Sequence, residues 1–377
     1  MGRSVNLILG GIFEWLGSLI RNGGRQPQPV PVKSRFGGTL SFIFLFCAFL
    51  VSNSILAQDL HFSQFHQSPL TTNPANTGFI PDADYRVGLN YRNQWSSIMA
   101  TPYKTMSLYG DAQVMRDRFE NGWIGLGGVI LRDVAGSGQL TSTKVYGSVA
   151  YHQMLGYSSL LTAGFNIGVA NKRIDFSKLT FPDQFDGKFF DNTIPTSVVL
   201  AKTNLSYFDM QAGLNYAWFP DDNTYLNGGF SVHHINRPEE SFFTEQPGYD
   251  TRIPRRYIGF LNGSFKLSDM VIVNPNIYFT SQATSAELVA GGYAQYNLSG
   301  DGETQLIGGL YYRLNDAVIP MAGFQWNNLR LTFSYDATMS NLRHYNGMRG
   351  AYEFSLVKHG FFTSFSGTRR QVLCPTF

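Results

Sequence analysis

Strict two-residue alternation near the carboxyl end is the feature that most limits how this chain can fold. In LRLTFSYDAT, Leu329, Leu331, Phe333 and Tyr335 share one parity, and Arg330, Thr332, Ser334 and Asp336 share the other. In MRGAYEFSLVKH, Met348, Tyr352, Phe354 and Leu356 alternate with Arg349, Glu353 and Ser355. Successive side chains of a strand point to opposite faces, so each segment has one apolar and one polar face. Two architectures satisfy that pattern. A soluble sandwich turns the apolar face to its core, and a membrane barrel turns it to lipid.

The pattern recurs along the chain. It is read at 86–95, Tyr103–Gln113, Gly122–Asp133, Gln139–Gln153, Ser158–Lys172, Leu205–Phe219 and Thr224–Ile235. It continues at Arg255–Leu267, Val271–Thr280, Ala286–Leu298, Glu303–Leu314, Ala317–Trp326, Leu329–Ala337 and Arg349–His359. About 14 antiparallel strands are therefore expected, an even number as bacterial membrane barrels have. Their length suits a tilted bilayer crossing and exceeds the roughly 5–6 residues usual in globular sheets. Helical periodicity is absent apart from at most one turn at Val114 to Phe119. The short connections Asn315-Asp316 and Asn327-Asn328 read as periplasmic turns, and Arg173–Asn204 and Asn236–Pro254 as long extracellular loops.

Composition favours the membrane alternative. Charged residues make up 15% of the chain, against roughly 25% in soluble domains, while aromatics reach 15% and glycines number 39. The formal charge of +3 belongs to the leader. Of 29 basic and 26 acidic residues, Arg3, Arg21, Arg25, Lys33, Arg35 and Glu14 fall in 1–57, leaving 24 and 25 beyond it. Nothing in that balance points to nucleic acid.

Lys33 and Arg35 followed by TLSFIFLFCAFLV read as a secretory signal cut after Ala57, preceded by an upstream extension. The apolar core is too short for a comfortable helical span, and no other stretch approaches 18 apolar residues. The expected division is 1–57 extension and signal peptide, 58–81 periplasmic segment, 82–359 transmembrane β-barrel and 360–377 tail. Cys47 leaves with the leader, so Cys374 is a lone thiol in the tail.

The mature opening, QDLHFSQFHQSPLTTNPANTG, carries Phe62-Ser63-Gln64-Phe65, Pro69-Leu70, Asn73-Pro74-Ala75 and Gly78. Tyr91, Arg92, Gln94 and Trp95 follow in the first strand, then Ser334 to Asp336 with Ser340-Asn341-Leu342, and finally CPTF at Cys374 to Phe377. In these residues the chain resembles the PorP/SprF family of outer-membrane proteins. The resemblance implies an outer-membrane barrel associated with the type IX secretion system and, in some members, gliding motility. It also implies help in exporting or holding a secreted protein with a C-terminal sorting domain. The upstream extension and the position of Cys374 depart from that pattern.

Candidate chemistry is sparse. His233-His234 are expected on opposite faces of a strand, unable to share a metal. Asp221-Asp222-Asn223 lacks the ligand spacing of a calcium loop and reads as a tight turn. Gly125, Gly127 and Gly128 follow a strand pattern, not a dinucleotide turn. No catalytic set, cofactor or metal site is expected. Arg92, Asp209, Arg313, Arg330, Asp336 and Glu353 fall on polar parities, either as ordinary lumen lining or as a network that closes the pore or docks an inserted segment. Phe62 and Phe65 are too apolar for a free arm and are expected buried at the periplasmic mouth or on a partner. Phe181, Phe185, Phe189, Phe190, Phe242, Phe243 and Tyr249 give the long loops the aromatic-plus-polar composition of a partner surface. The function expected is a non-enzymatic outer-membrane barrel contacting lipid, a secreted protein and other secretion components. A diffusion porin or small-solute transporter is the alternative.

Overall fold

The structure, a computed structural model, describes residues 62–362 except 82, 117, 192, 244–249 and 301. The signal region, Gln58, Tyr249 and Cys374 lie outside the described residues.

Fourteen strands close into one barrel in chain order. They are β1 Tyr85–Gln94, β2 Tyr103–Val114, β3 Gly122–Ala135, β4 Leu140–Met154, β5 Ser159–Arg173, β6 Asn204–Asp221 and β7 Thr224–His233. The second half comprises β8 Arg256–Ser268, β9 Val271–Gln282, β10 Ser285–Asn297, β11 Thr304–Arg313, β12 Ala317–Trp326, β13 Leu329–Thr338 and β14 Arg349–Gly360. Each pairs antiparallel with its chain neighbours, and β1 closes on β14 from Tyr85↔Gly360 to Gln94↔Ala351. Closure leaves no sheet edge with unpaired backbone groups, which a membrane does not tolerate.

Burial is inside out. On β13, Thr332, Ser334 and Asp336 are at most 2% exposed, while Leu331 on the opposite parity is 50% exposed. Leu108, Val169, Leu214 and Leu310 are likewise exposed on the exterior. A soluble sandwich would bury those rows. An outward apolar face over a polar interior is instead the arrangement of a membrane-spanning barrel.

Both long connections, 174–203 and 234–255, leave the same end of the barrel, where odd strands finish and even strands begin. The opposite end has two-residue turns at 222–223, 269–270 and 327–328, with Asn327 at φ 51 in the left-handed geometry such turns need. The sidedness of Asn315-Asp316 is a correction. That turn joins β11 to β12 and so lies with the long loops, because strand parity and not connection length decides the end. Among the described residues of 114–119 there is a single turn, in which the Arg118 N–H donates to the Met115 carbonyl (3.1 Å). One helical turn forms at Arg343–Asn346, ended by Gly347 at φ 58.

Parity generates a test. Leu331→Arg places a charge in the exterior apolar belt and should cost about 2–4 kcal/mol near mid-membrane. The reading from sequence alone would use Thr332→Arg as the tolerated neighbour. Thr332 is however 1% exposed and donates its hydroxyl proton to Gln64 of the amino-terminal segment, so an arginine there has no room. Ser264→Arg, inward on β8 but half-buried, is the proper control and should cost much less. Heat-modifiable migration on a gel reads both, and equal loss of the folded band would contradict the assignment.

Candidate functional site

Residues 62–81 run through the lumen, leaving a cavity of about 200 Å³ between Phe65, Thr72 and Asn76 and the wall at Arg86, Tyr225 and Asn262. Their sequence favours a string of tight turns: Phe65–Gln67, Pro69–Thr72 and Pro74–Asn76. Proline opens the second and third turns, where its missing N–H costs nothing, and the Asn73 side chain caps the third by accepting from the Ala75 N–H. Such a segment cannot pair as a strand, so its backbone groups need other partners. Side chains of the barrel wall supply many of them. The Gln67 carbonyl accepts from Tyr109 (2.9 Å), the Thr72 carbonyl from Ser231 (2.9 Å) and the Gly78 carbonyl from the Trp123 indole (3.0 Å). The Gly78 N–H donates to Asp111 (2.8 Å), which also holds Arg86. His152 Nε2 lies 2.8 Å from the Thr77 carbonyl, and Gln113 donates to the carbonyl of Ile80.

The strongest attachment is at Ser63, near the long-loop ends of β1, β11 and β13. Its hydroxyl accepts from Arg92 Nη1 (2.5 Å) and Arg313 Nη2 (2.7 Å) and donates to Asp336 (2.8 Å to Oδ2). One hydrogen and two lone pairs are all a serine hydroxyl has, and all three are used. Glu353 completes the cluster: Oε2 accepts the Ser63 N–H (2.9 Å) and Oε1 the Gln64 N–H (2.8 Å). Arg92 also pairs with Asp336 (2.9 Å) and Glu353 (3.3 Å), and Arg313 with Asp336 (3.1 Å). The Gln64 amide donates to Ser334 (3.0 Å). Two guanidiniums and two carboxylates are thus buried around one serine, with Glu287 (3.6 Å) and Asp316 (3.0 Å) as further carboxylates on Arg313, in an environment where each unpaired charge would cost several kcal/mol.

Apolar side chains seat the rest. Phe65 stacks on Tyr278 at 4.9 Å, within a cup formed with Ile258, Ile307, Tyr311 and Ile319. Phe62 and Leu70 pack against Tyr109, Val129, Leu131 and Tyr146, and Phe79 against Trp123, Leu160 and Phe219. Inward-facing glycines let the segment reach the wall. A Cβ on Gly164 would land on the Pro74–Ala75 backbone, on Gly213 it would strike the Asn73 carboxamide, and on Gly125 the Thr77 carbonyl.

The structure sorts the residues expected from sequence. Arg92, Arg313, Asp336 and Glu353 come together in the cluster, whereas Asp209 and Arg330 do not. Asp209 instead takes Tyr146 OH (2.7 Å) and His234 Nδ1 (2.9 Å), and Arg330 binds Gln325 (2.7 Å) near the short-turn end. Phe62 and Phe65 are each 4% exposed inside the lumen, which corrects their expected place at the mouth or on a partner. His233 and His234 are both buried, not on opposite faces, because β7 ends at His233 and His234 turns inward at φ 56. They hold different groups, Ser231 and Asp209 respectively. Ser63 and Gln64 were not among the expected site residues, although they lie in the opening block that carries the family resemblance. Among the described residues, no group of three or more His, Cys, Asp or Glu could hold a metal ion.

At the long-loop end, the loops brace each other. The Phe242 carbonyl accepts from the Ala201 and Lys202 N–H groups, Glu240 pairs with Lys172, and Tyr207 OH donates to Glu240 at 2.8 Å. Phe181 rests on Phe176 at 5.1 Å, so Phe181 and Phe242 belong to the loop scaffold. Phe185 and Phe190 are bridged as a small hairpin, yet Phe185, Phe189, Phe190 and Phe243 are 49%, 74%, 58% and 56% exposed. Exposed carboxylates fix the turns between them. N–H groups of Ser197 and Phe189 hold Asp183 and Asp186 below the usual carboxylate range, and the Thr193 hydroxyl does the same for Asp191. Tyr249 lies outside the described residues.

The fold and its filled lumen define an outer-membrane β-barrel plugged by its own amino-terminal segment. The chain matches the family described as Type IX secretion system membrane protein PorP/SprF over residues 54–357, and it belongs to that family. No curated protein matches the sequence. Solved structures that resemble it include the CymD monoaromatic hydrocarbon channel (9% identity, TM-score 0.46, covering 78% of this chain and 93% of that one). The Ralstonia pickettii toluene transporter TbuX is similar at 11% identity and TM-score 0.46 (78% and 94% covered). A Pseudomonas aeruginosa FadL homologue is similar at 10% identity and TM-score 0.41 (78% and 94% covered).

The attachment can be tested at both ends. Glu353→Ala removes one of the two carboxylates on Arg92 and strands two backbone N–H groups, and should lower stability by about 3–5 kcal/mol, as breaking a buried pair does. Ser63→Ala should cost about 1–3 kcal/mol. Gly164→Val should expel the segment around Pro74, whereas Gly259→Val, with open space around its Cβ, should be neutral. Urea unfolding in detergent and chymotrypsin cleavage after Phe62, Phe65 and Phe79 give the readouts. Equal behaviour of the two glycine variants would contradict the seat.

Proposed function

We propose that this barrel is a non-enzymatic, closed component of the type IX secretion system that helps export a secreted protein or anchor it at the cell surface. The observation carrying this reading is the lumen filled by residues 62–81, beneath loops that present unpacked aromatic side chains. A diffusion porin works through a water-filled lumen. Here two phenylalanines, a charged cluster and a chain of backbone hydrogen bonds occupy that space, which favours a barrel acting through its surfaces.

The exterior apolar belt meets outer-membrane lipid. Phe185, Phe189, Phe190 and Phe243 then contact the secreted partner, with the charged turns around them as the rim. Rigid bracing lowers the ordering cost of binding, since the aromatics are held before the partner arrives. The partner would be a protein carrying the C-terminal sorting domain that the family resemblance implies, and the inner end would face other secretion components.

Shortening 183–191 to a Gly-Ser turn, or replacing Phe189 and Phe243 with Ala, should leave barrel assembly intact. A specific surface protein should then be lost to the medium or degraded, as read by proteomics of washed cells and spent medium. Deleting the gene with an unchanged surface-protein profile, but with uptake of a small solute blocked, would contradict the anchor reading and favour the porin.

A further inference from the structure

The amino-terminal segment does not meet the wall everywhere. Between it and strands β7 and β8 lies the cavity of about 200 Å³, which runs from Phe260 in mid-barrel to Arg86, Tyr225 and Pro81 at the short-turn end. The rings of Phe65, Phe79 and Phe260 give it apolar walls. Several of its polar groups have hydrogen bonds to spare. Arg86 spends Nε and Nη2 on Asp111 (3.0 and 2.8 Å) and Nη2 also on the Asn76 carbonyl (3.3 Å), which leaves Nη1. A relay orients Asn262: the Tyr311 hydroxyl donates to Asn276 Oδ1 (2.8 Å), and Asn276 Nδ2 donates to Asn262 Oδ1 (3.0 Å). The oxygen of Asn262 is thereby taken and its Nδ2 is left to donate. Directly opposite it on β7 stands Asn227, 7% exposed, whose carboxamide has no hydrogen-bond partner among the described residues.

The charge at this end is one-sided. No carboxylate lines the cavity among the described residues. Arg86 stands opposite His359 across the closing seam, and Arg330 shares that inward face with only the neutral Gln325 as its hydrogen-bond partner. Apolar walls with a few placed polar groups are the usual form of a small-molecule site. A cavity of roughly 150 Å³ holds benzene, so this one has room for a six-membered ring and a carboxylate. We infer that the cavity binds a small aromatic carboxylate, which enters from the short-turn end and bridges the amino-terminal segment to the wall. The ring lies among the phenylalanines, and the charge is drawn to the spare donors of Arg86 and the side-chain amides. Bound there, the ligand holds the segment in its seat, so closure of the barrel responds to an organic anion at the short-turn end. The site goes beyond the anchor reading and does not depend on it.

Benzoate is the probe. Equilibrium dialysis of the folded, detergent-purified barrel against labelled benzoate, with micelles alone as the blank, measures binding. The expected result is saturable, single-site binding. Benzamide keeps the ring without the charge, and acetate keeps the charge without the ring, so each should compete at least about tenfold more weakly than unlabelled benzoate. Asn262→Asp preserves the acceptor for Asn276 and sets a carboxylate in the cavity. It should weaken benzoate by about tenfold or more, whereas Gly259→Val on the exterior should leave binding unchanged. Heat-modifiable migration verifies the fold of both variants. Saturating benzoate should also slow chymotrypsin cleavage after Phe65 and Phe79, which line the cavity from the segment's side. No saturable binding above the micelle blank overturns the inference, and so does benzamide competing as well as benzoate. Equal binding to Asn262→Asp, or binding that gives no protection at Phe65 and Phe79, takes the ligand out of this cavity and overturns it too.

Discussion

The structure depends on the buried cluster around Ser63. Two arginines and two carboxylates drawn from β1, β11, β13 and β14 meet one hydroxyl and two backbone N–H groups of the amino-terminal segment. Charges taken out of water are costly, and the cluster repays that cost only while every lone pair and hydrogen has a partner. The segment supplies partners the wall cannot make for itself. Without it, Glu353 would lose both N–H donors and the two guanidiniums would lose their shared acceptor. Arg92 and Glu353 stand directly opposite each other across the closing seam of the barrel, so the same contacts join the first strand to the last.

From that attachment the remaining features follow as accommodations to a filled lumen. The wall carries hydrogen-bonding side chains because a string of turns brings its own unsatisfied backbone. It carries glycines on β3, β5 and β6 because the segment lies on the wall with no space for a Cβ. Its inner face is also not uniformly polar. The apolar cup around Phe65 exists because that half of the lumen packs against protein and not water.

Much of the architecture was legible in the chain. A period of two survives any context because it follows from strand geometry, and the fourteen segments read from it coincide with the fourteen strands. Parity also placed Arg92, Arg313, Asp336 and Glu353 inside. What parity cannot give is who meets whom. Register and closure bring Ser63 next to Asp336 across 273 residues, and no local signal encodes that distance. The same limit explains why Asp209 and Arg330 shared a polar parity with the cluster yet sit elsewhere. Phe62 and Phe65 were readable as buried. Their seat was not, because it is formed by tyrosines and isoleucines of distant strands. Gly125 and Gly127 looked like ordinary strand glycines until the segment lying on them was seen. His234 escaped because one residue in the left-handed region breaks the alternation.

The claim underlying this account is that the intact barrel is closed by its own amino-terminal segment. Single-channel recording of the purified, folded protein in planar bilayers tests it most directly. The account predicts no steady open-channel conductance from the intact chain. A large, steady conductance from the intact protein would contradict it.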